Sequence, residues 1–453
     1  MDHQTVIIGA GLTGLTTAFN LKKAGKEFIV LETAERVGGV IKTISKDGFT
    51  FETGPNTGVI GNEAVIELFD NLSKCTIEVA HQSARKRYIL QNRKWQQMPL
   101  GLSDAIKTSL FTQRDKFRIL TEPFRKRGKN PDETLSEFVE RRLGKSFLDY
   151  AIDPFIKGVY AGNPSELIVR HAFPKLYALE QKYGSLVRGS IKKKMFEKKS
   201  DIQKRVNRKT FSSKGGLQLL VDALYEESGK ENYMLGCKNI SIVPKANGYL
   251  VKFENESGKI IIEAKNVITT VPAYALPAIL PFADCEIISS LNYSPVVEIA
   301  FGFKNWKGFV PDGFGGLIPS VEKSKILGVL FMSTLFQQRV PEQGVLFSVF
   351  MGGRANSELV KMTDDQILSI AIPEFMEIMK CNEFHPEMIH ISRHRQAIPQ
   401  YDKNTDARLQ SIEIIQKIYP GLYIGGNVCD GIGMADRIKQ AKKLAQMIID
   451  SEL

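Results

Sequence analysis

The first residues of the chain change from a strand-like to a helix-like pattern of apolar positions. Residues 5–8 are apolar, residues 9–14 contain three glycines, residues 15–24 have a helical period, and residues 28–32 form a second apolar run. Two apolar runs joined by a glycine turn and an amphipathic helix are typical of a βαβ unit with parallel strands. The pattern therefore predicts an α/β domain at the start of the chain.

The rest of the chain divides into a helical part and a part rich in strands. Residues 85–195 have a helical, basic pattern, with helices predicted near 102–110, 134–143 and 147–155. Strands are predicted at 249–253, 260–270, 296–303, 327–333, 344–350 and 422–424, and a last helix at 434–449. Glycine and proline separate these segments, as expected for turns between strands. We therefore predict an α/β fold with a Rossmann-like domain, a mixed-sheet domain and a helical insertion.

The length and composition favour a folded multidomain protein. The chain has 453 residues, of which 43% are hydrophobic and 25% charged, values that are ordinary for soluble proteins. Two uncharged stretches, residues 4–21 and 266–283, approach the length of a membrane span. The first is the glycine turn with its helix, and the second contains three prolines, so neither is predicted to cross a membrane. The first strand begins by residue 5, which leaves no room for a leader in this sequence.

The net charge of +11 favours an anionic partner but does not identify it. Basic runs occur at residues 85–87, 125–127, 192–194 and 198–199, and each can be either a solvated face or a contact with lipid or substrate. No nucleic-acid-binding motif accompanies them, so we expect no nucleic-acid partner. The five cysteines form no CxxC pair, and His390 and His394 lie in a strand-like segment, so no metal site is expected.

The glycine turn carries the strongest chemical signal. Gly9, Ala10, Gly11, Leu12, Thr13 and Gly14 match GxGxxG after a strand and before a helix, where a pyrophosphate can approach the backbone amides. Glu32 ends the second strand, the position from which a carboxylate binds the ribose of an adenosine. These residues predict a dinucleotide site, and they do not by themselves separate NAD from FAD.

Two further segments resemble the flavin amine oxidase superfamily. The first follows Glu32 and comprises Thr33, Arg36, Gly38, Gly39, Val40, Gly54, Pro55, Asn56 and Thr57. The second lies near the end of the chain and comprises Gly426, Asn427, Ile432, Gly433 and Met434. A helix beginning there would direct the positive end of its dipole at the flavin ring. The resemblance implies non-covalent FAD, with these residues as its binding site.

Other segments resemble the protoporphyrinogen oxidase family within that superfamily, over nearly the whole chain. They are Lys86-Arg87-Tyr88-Ile89, residues 153–164, Ala172-Phe173-Pro174, residues 214–217 and Ile398-Pro399-Gln400-Tyr401. The resemblance implies that Arg87 binds a substrate propionate and that Leu317, Leu330 and Phe350 enclose a pyrrole ring. It also implies that Asn56 stabilises the substrate, that the Gly158 carbonyl faces the macrocycle, and that Asn239 contacts the adenine. From the residues alone, Arg87 is equally a surface arginine, and the three apolar residues are ordinary core.

The sequence departs from the family at two places. Residues 161–164 read Ala161-Gly162-Asn163-Pro164, and Asn239 replaces the usual valine. With the resemblance, residues 1–84, 206–265 and 391–453 are predicted to form the FAD-binding domain. Residues 85–205 are predicted to be a membrane-facing helical insertion, and residues 266–390 a substrate-binding domain.

The resemblance also implies a reaction and its partners. We expect oxidation of protoporphyrinogen IX to protoporphyrin IX in heme biosynthesis, with oxygen as acceptor. Three alternatives remain: coproporphyrinogen III as substrate, an amine or carotenoid as in a sibling family, and a flavin-bound scaffold without turnover. The expected location is cytoplasmic, peripheral on the inner face of the cell membrane against anionic lipid, with a homodimer possible.

Overall fold

The computed structural model describes residues 2–196, 205–206 and 208–451. Two seven-stranded sheets form its framework, and two small sheets, β3-β4 and β5-β9-β6, accompany them. The strands are β1 Asp2–Ile8, β2 Phe28–Leu31, β3 Thr43–Lys46, β4 Phe49–Glu52, β5 Gly58–Val59, β6 Ile77–Val79, β7 Tyr88–Gln91, β8 Lys94–Gln97, β9 Thr210–Ser213, β10 Tyr233–Met234, β11 Lys238–Lys245, β12 Gly248–Asn255, β13 Gly258–Thr269, β14 Tyr293–Phe303, β15 Gly315–Leu317, β16 Ile326–Phe331, β17 Val345–Gly352, β18 Met388–Pro399 and β19 Leu422–Ile424.

The α-helices are α1 Leu12–Lys23, α2 Glu63–Asn71, α3 Leu102–Lys107, α4 Gln113–Leu120, α5 Leu135–Arg142, α6 Lys145–Phe147, α7 Asp153–Tyr160, α8 Val169–Ala172, α9 Pro174–Tyr183, α10 Leu186–Phe196, α11 Gln218–Glu227, α12 Leu276–Ile279, α13 Glu286–Ser289, α14 Met332–Leu335, α15 Asp364–Ile378, α16 Thr405–Ile418 and α17 Met434–Ser451. A π-helix at Leu148–Ile152 joins α6 to α7. Short 3-10 turns occur between several of the other elements.

The first sheet is the dinucleotide-type sheet. Its order is β10-β2-β1-β13-β12-β11, and β19 pairs with β13 beside this path. The strands β10, β2, β1, β13 and β19 are parallel, whereas β11 and β12 form an antiparallel extension. β1 and β2 read as continuous apolar runs because helices cover a parallel sheet on both faces. α1 and α17 pack together on one of those faces, where the Thr17 hydroxyl donates to the carbonyl of Thr13 (2.8 Å).

The second sheet has the order β18-β14-β17-β16-β15-β7-β8 and is antiparallel except for β15 and β7. One face packs through Phe301, Phe303 and Phe347 onto α15, where Phe375 lies in the same aromatic cluster. The opposite face packs onto β4 through residues that include Phe49 and Phe51. This second face therefore points toward the dinucleotide-type part of the molecule.

A helical region built from α3 to α10 is held together by a buried ionic network. The Arg142 guanidinium, which is fully buried, contacts the carboxylates of Glu122 (2.7 Å) and Glu180 (3.2 Å). The Ser185 hydroxyl donates to Glu122 (2.5 Å). Buried charges are tolerated only when they are paired and hydrogen-bonded in this way.

The structure agrees with most of the predicted elements and differs at particular places. The predicted helix at 147–155 is three consecutive elements, α6, the π-helix and α7. The predicted strand at 327–333 ends at Phe331, where α14 begins. His390 and His394 lie in β18, as predicted.

The predicted division into domains stays a prediction, but two of its boundaries cross paired strands. β7 and β8, at the start of the segment 85–205, belong to the second sheet, where β7 pairs with β15 and β8 with β7, and the α-helices begin only at Leu102. β13 runs through the boundary at residue 265. β18 runs through the boundary at residue 390. Among the described residues, no helix is long and apolar enough to span a membrane. The basic pair Lys198-Lys199 lies outside the described residues.

Candidate active site

The glycine turn between β1 and α1 has the geometry that a pyrophosphate site requires. A Cβ on Gly14 would overlap the carbonyl oxygen of Gly9, so the first turn of α1 packs directly on the end of β1. Gly9 has φ +102, a conformation that favours glycine. The Cβ position of Gly11 has no atom within 4 Å, which leaves its backbone open to a ligand. The turn therefore combines tight packing at Gly14 with free approach at Gly11.

Glu32 lies directly after β2 and faces the same turn. Its carboxylate accepts hydrogen bonds from the Ala10 amide (2.7 Å) and the Ala34 amide (3.0 Å). The Thr33 hydroxyl also donates to it (3.2 Å). A carboxylate fixed by backbone amides beside the glycine turn is suitably placed for the hydroxyls of a ribose.

The predicted residues 36–40 form a loop that folds back onto the glycine turn. The Gly38 amide donates to the Ala10 carbonyl (2.8 Å), and the Cβ position of Gly39 lies 3.3 Å from Cα of Gly11. Arg36 donates to the carbonyls of Val37 and Ile41 (3.0 Å each). The guanidinium of Arg36 therefore shapes this loop through its backbone.

The segment Gly54-Pro55-Asn56-Thr57 lies next to that loop. A Cβ on Gly54 would overlap the Val40 carbonyl oxygen, so only glycine allows this approach of the two backbones. Pro55 and Thr57 are half-buried, whereas Asn56 is only 6% exposed. The segment connects the dinucleotide-type part to the second sheet.

The predicted C-terminal flavin segment lies at the carboxyl ends of the same parallel strands. The Gly425 amide donates to the Thr269 carbonyl, and the Gly426 amide donates to Oε1 of Gln440 (both 2.8 Å). The side chain of Asn427 accepts from the Tyr293 hydroxyl (3.1 Å). Ile432 and Gly433 are half-buried and lead into α17.

The start of α17 carries a carboxylate of its own. Asp436 accepts a hydrogen bond from the Gly433 amide (3.3 Å), so one of the free amides at this helix end is occupied. Met434, the first helical residue, is buried, and the neighbouring amides remain beside the half-buried Gly433. The helix dipole predicted to favour a negative charge is present, and Asp436 offsets part of it.

Asn239, another predicted cofactor residue, lies far from the glycine turn in the sequence. It has φ +52 at an irregularity of β11, and its side chain donates to Glu254 (3.0 Å). The amide of nearby Cys237 donates to the Glu32 carbonyl (2.9 Å), which ties this segment to the end of β2. With its side chain engaged, Asn239 can contact an adenine only through backbone atoms.

The predicted substrate residues share one face of the second sheet. Glu298 lies opposite Phe350, Phe350 opposite Gly328, and Gly328 opposite Leu317. Leu330 lies opposite Ser348, two residues from Phe350. Because directly paired residues project to the same side of a sheet, these side chains all face the dinucleotide-type part.

The three predicted wall residues, Leu317, Leu330 and Phe350, are half-buried rather than part of a closed core. α7 approaches this wall so closely that a Cβ on Gly158 would overlap Cδ2 of Leu317. The backbone of Gly158 therefore lies directly against the apolar wall, and the residue itself is exposed.

Arg87 immediately precedes β7 and lies on the same face by its alternation with Ile89, which is paired with Leu317. Its guanidinium lies 4.9 Å from the ring centroid of Phe314. Desolvation lowers the pKa of Arg87, although more than a third of its surface is accessible. Both observations fit a side chain that lines a recess open to solvent. No carboxylate of the described residues forms an ion pair with it, whereas the adjacent Lys86 is paired with Asp312.

The sequence analysis missed Glu298, which contacts the predicted Asn56. The Asn56 amide nitrogen donates to Oε1 of Glu298 (2.7 Å), and its oxygen accepts from the Ser348 hydroxyl (2.9 Å). Burial raises the pKa of Glu298 to about 8, and Glu52 adds to the effect. The signal in the sequence was a single glutamate within the apolar run of β14.

The comparisons with known proteins agree with this geometry. The model of the family described as flavin containing amine oxidoreductase matches residues 12–449. The chain belongs to this family. Its cofactor is FAD, for which the open backbone at Gly11, the fixed carboxylate of Glu32 and the glycines at 38, 39 and 54 provide a fitting site.

Similar proteins in this flavin oxidoreductase family include porphyrinogen oxidases. The chain is 30% identical to protoporphyrinogen oxidase 2, chloroplastic/mitochondrial, of Arabidopsis thaliana, covering 99% of this chain and 96% of that protein. It is 27% identical to coproporphyrinogen III oxidase of Bacillus subtilis (strain 168), covering 96% of each. A crystal structure from Exiguobacterium sp. 255-15, provisionally assigned as a protoporphyrinogen oxidase, superposes with a TM-score of 0.83 at 23% identity and full coverage of both chains.

Proposed function

We propose that this flavin oxidoreductase oxidises protoporphyrinogen IX to protoporphyrin IX in heme biosynthesis, with oxygen as the electron acceptor. The observation that carries the proposal is that Arg87 and half-buried Leu317, Leu330 and Phe350 all project to one side of the second sheet, and that Arg87 has no ion-pair partner among the described residues. The similarity to porphyrinogen oxidases over nearly the whole chain supports it.

The chemical match between this face and a tetrapyrrole is direct. A guanidinium binds a propionate through two parallel hydrogen bonds, and flat apolar rings are held by apolar side chains above and below them. In the proposed complex Arg87 anchors a propionate, while Leu330 and Phe350 orient the macrocycle. The Gly158 backbone, packed on Leu317, limits the thickness of the recess.

The proposed reaction requires little acid or base catalysis from side chains. FAD, when bound, accepts hydride from the substrate. Loss of hydride from an sp3 bridge of a porphyrinogen leaves a cation that neighbouring pyrroles share, so the protein mainly has to orient the ring and exclude water. The buried carboxamide of Asn56 and the apolar wall supply this environment.

The second candidate is coproporphyrinogen III, which the Bacillus relative oxidises by its name. This substrate carries two more propionates than protoporphyrinogen IX. The three predicted wall residues, Leu317, Leu330 and Phe350, are apolar, and Lys86 is already paired with Asp312. Of the two cations Lys86 and Arg87, only Arg87 is without an ion-pair partner among the described residues, and this favours the substrate with fewer carboxylates.

The test is a paired assay on the purified holoprotein. Porphyrin fluorescence is followed with protoporphyrinogen IX and with coproporphyrinogen III at equal concentration, with and without oxygen. We expect a higher kcat/KM for protoporphyrinogen IX and no turnover in the absence of oxygen. Faster oxidation of coproporphyrinogen III would replace the first substrate by the second, and silence with both would refute the porphyrinogen proposal.

We also propose peripheral attachment to the inner face of the cell membrane, on the cytoplasmic side, through the helical region. Phe117, Leu120 and Phe124 are 66%, 73% and 82% exposed. Phe117 lines a surface cleft of about 680 Å³, together with Arg118 and Arg125. Exposed apolar side chains next to cations are suited to an anionic lipid surface. We expect the protein to sediment with anionic liposomes at low salt, and Phe117→Ser to sediment less. Whether the protein forms a homodimer is tested separately by light scattering on the purified protein.

A further inference from the structure

Glu298 is an acid in an environment that does not support a negative charge. It lies in the middle of β14 between apolar neighbours and is 2% exposed. Among the described residues no cation forms an ion pair with it, and the nearby charge that acts on it is the carboxyl group of Glu52. An isolated carboxylate in such a place is costly, so the neutral acid is the favoured form.

The orientation of the Asn56 carboxamide fixes the direction of the surrounding hydrogen bonds. Its nitrogen lies 3.2 Å from the carbonyl oxygen of Gly54, which can only accept, so this atom is the donor. The same nitrogen donates to Oε1 of Glu298 (2.7 Å). The carboxamide oxygen must therefore face Ser348, whose hydroxyl has to donate to it (2.9 Å).

Ser348 lies diagonally across from Glu298 on the same face of the second sheet, because its direct partner is Ala300. A serine hydroxyl has one proton, which Ser348 gives to Asn56. A hydrogen bond from Ser348 to the Glu298 carboxyl group favours the charged form and lowers its pKa, against the larger effect of burial. If Glu298 ionised, the carboxylate would therefore compete with the Asn56 oxygen for the Ser348 proton.

Other titratable groups approach Glu298 from two neighbouring elements. Glu52 comes from β4, and its own pKa is raised, first by burial. His390 and His394 come from β18, where they are paired with Ala300 and Val296 on either side of Glu298. Nε2 of His394 is engaged by the Thr53 carbonyl (2.6 Å), and burial lowers the pKa of His390. Neither histidine is therefore placed to neutralise Glu298.

We propose that Glu298 is a positioning residue which, as a neutral acid, accepts from the Asn56 nitrogen and leaves the Ser348 proton to the Asn56 oxygen. These hydrogen bonds join the Gly54–Asn56 segment of the FAD site to β14 and to β17, the strand that carries Phe350. They hold the Asn56 carboxamide and the wall residue Phe350 in fixed relation, and loss of the Glu298 proton disturbs them. This inference rests on the proposed function for its effect on turnover, but the hydrogen bonds themselves do not.

The first experiment observes the proton directly in the holoprotein. Infrared difference spectra between neutral and alkaline pH should show the carbonyl band of a protonated carboxylic acid, which disappears as the pH passes about 8. The band should be absent in Glu298→Gln and unchanged in Ser392→Ala, the matched control on β18 opposite Glu298. If the wild-type protein has no such band, the proposal that Glu298 is a neutral acid is wrong, whatever the substrate.

The second experiment measures turnover against pH. Glu298→Gln can still accept from Asn56 and has no proton to lose at alkaline pH, so we expect kcat within about threefold of wild type, without the alkaline decline that wild type should show. Glu298→Leu should reduce kcat about tenfold or more with FAD still bound, because Asn56 loses its acceptor. Equal losses in the Gln and Leu variants, or an alkaline decline retained by the Gln variant, would overturn the proposal. If the Leu variant does not fold, the Gln profile alone decides.

Discussion

Replacement of Glu298 by glutamine should make the stability of the protein less sensitive to alkaline pH. A buried acid whose pKa is raised binds its proton more tightly in the folded than in the unfolded state. Unfolding then releases a proton between the two pKa values, so the free energy of unfolding decreases as the pH rises. Below the unfolded-state pKa both states are protonated and the effect vanishes.

The size of the effect follows from the two pKa values. The pKa of Glu298 is raised from an ordinary 4.5 to about 8. Over this range the wild-type protein should lose about 1.4 kcal/mol per pH unit relative to Glu298→Gln, or about 5 kcal/mol in all. Above a pH of about 8 the difference should stay constant. The bound cofactor is present in both proteins and cancels in the comparison.

The assay is thermal unfolding of both holoproteins at pH values from about 5 to about 9. About 4 of these 5 kcal/mol fall within this pH window, which for a protein of this size corresponds to a relative change in Tm of roughly 4 °C. Ser392→Ala, which leaves the hydrogen bonds of Asn56 intact, should follow the wild-type curve. Parallel curves for wild type and Glu298→Gln would refute the reasoning, because they would show that Glu298 titrates alike in the folded and unfolded states.

Three further predictions test other parts of the molecule. Arg87→Lys should raise KM for the porphyrinogen about tenfold or more with a smaller effect on kcat, because a lysine cannot form the bidentate pair; an unchanged KM in steady-state kinetics would remove Arg87 from the site. Gly14→Ala should lower the Tm of the apoprotein, whereas Gly11→Ala, with open space at its Cβ, should leave that Tm unchanged and weaken FAD binding; equal effects on the Tm of the two apoproteins would contradict this assignment. Arg142→Leu leaves buried carboxylates unpaired and should destabilise the helical region by about 3 to 5 kcal/mol, visible as faster hydrogen exchange there while the flavin spectrum persists; exchange at the wild-type rate would show that the ionic network contributes little.

The sequence predicted the cofactor site better than it predicted the path of the chain around it. The glycine turn and Glu32 lie close together in the sequence, so local spacing was enough to place them. β7 and β8 were assigned to the helical segment because the basic residues nearby obscured a short strand pair. β15, the other partner of β7, lies more than 200 residues later, and such a long-range pairing leaves no local pattern.

The residues of the predicted substrate face were also beyond what the local sequence pattern can predict. Leu317, Leu330 and Phe350 could be proposed only by resemblance, because apolar residues at strand spacing look identical whether they line a recess or fill a core. Glu298 was visible as a polar residue in an apolar strand, but its meaning depends on Asn56, which reaches it from a distant segment. Polar residues that interrupt buried strands are therefore worth separate attention in chains of this kind.

The order of strands in the first sheet has a consequence for how the protein acquires its cofactor during synthesis. β1 emerges first, yet its neighbour β13 is made about 260 residues later, and the packing of α17 on α1 waits for the last segment of the chain. The glycine turn thus leaves the ribosome early, while one edge of β1 is still unpaired and α17 does not yet pack on α1. We therefore expect capture of the flavin to follow translation of nearly the entire polypeptide, and products that lack α17 to be colourless.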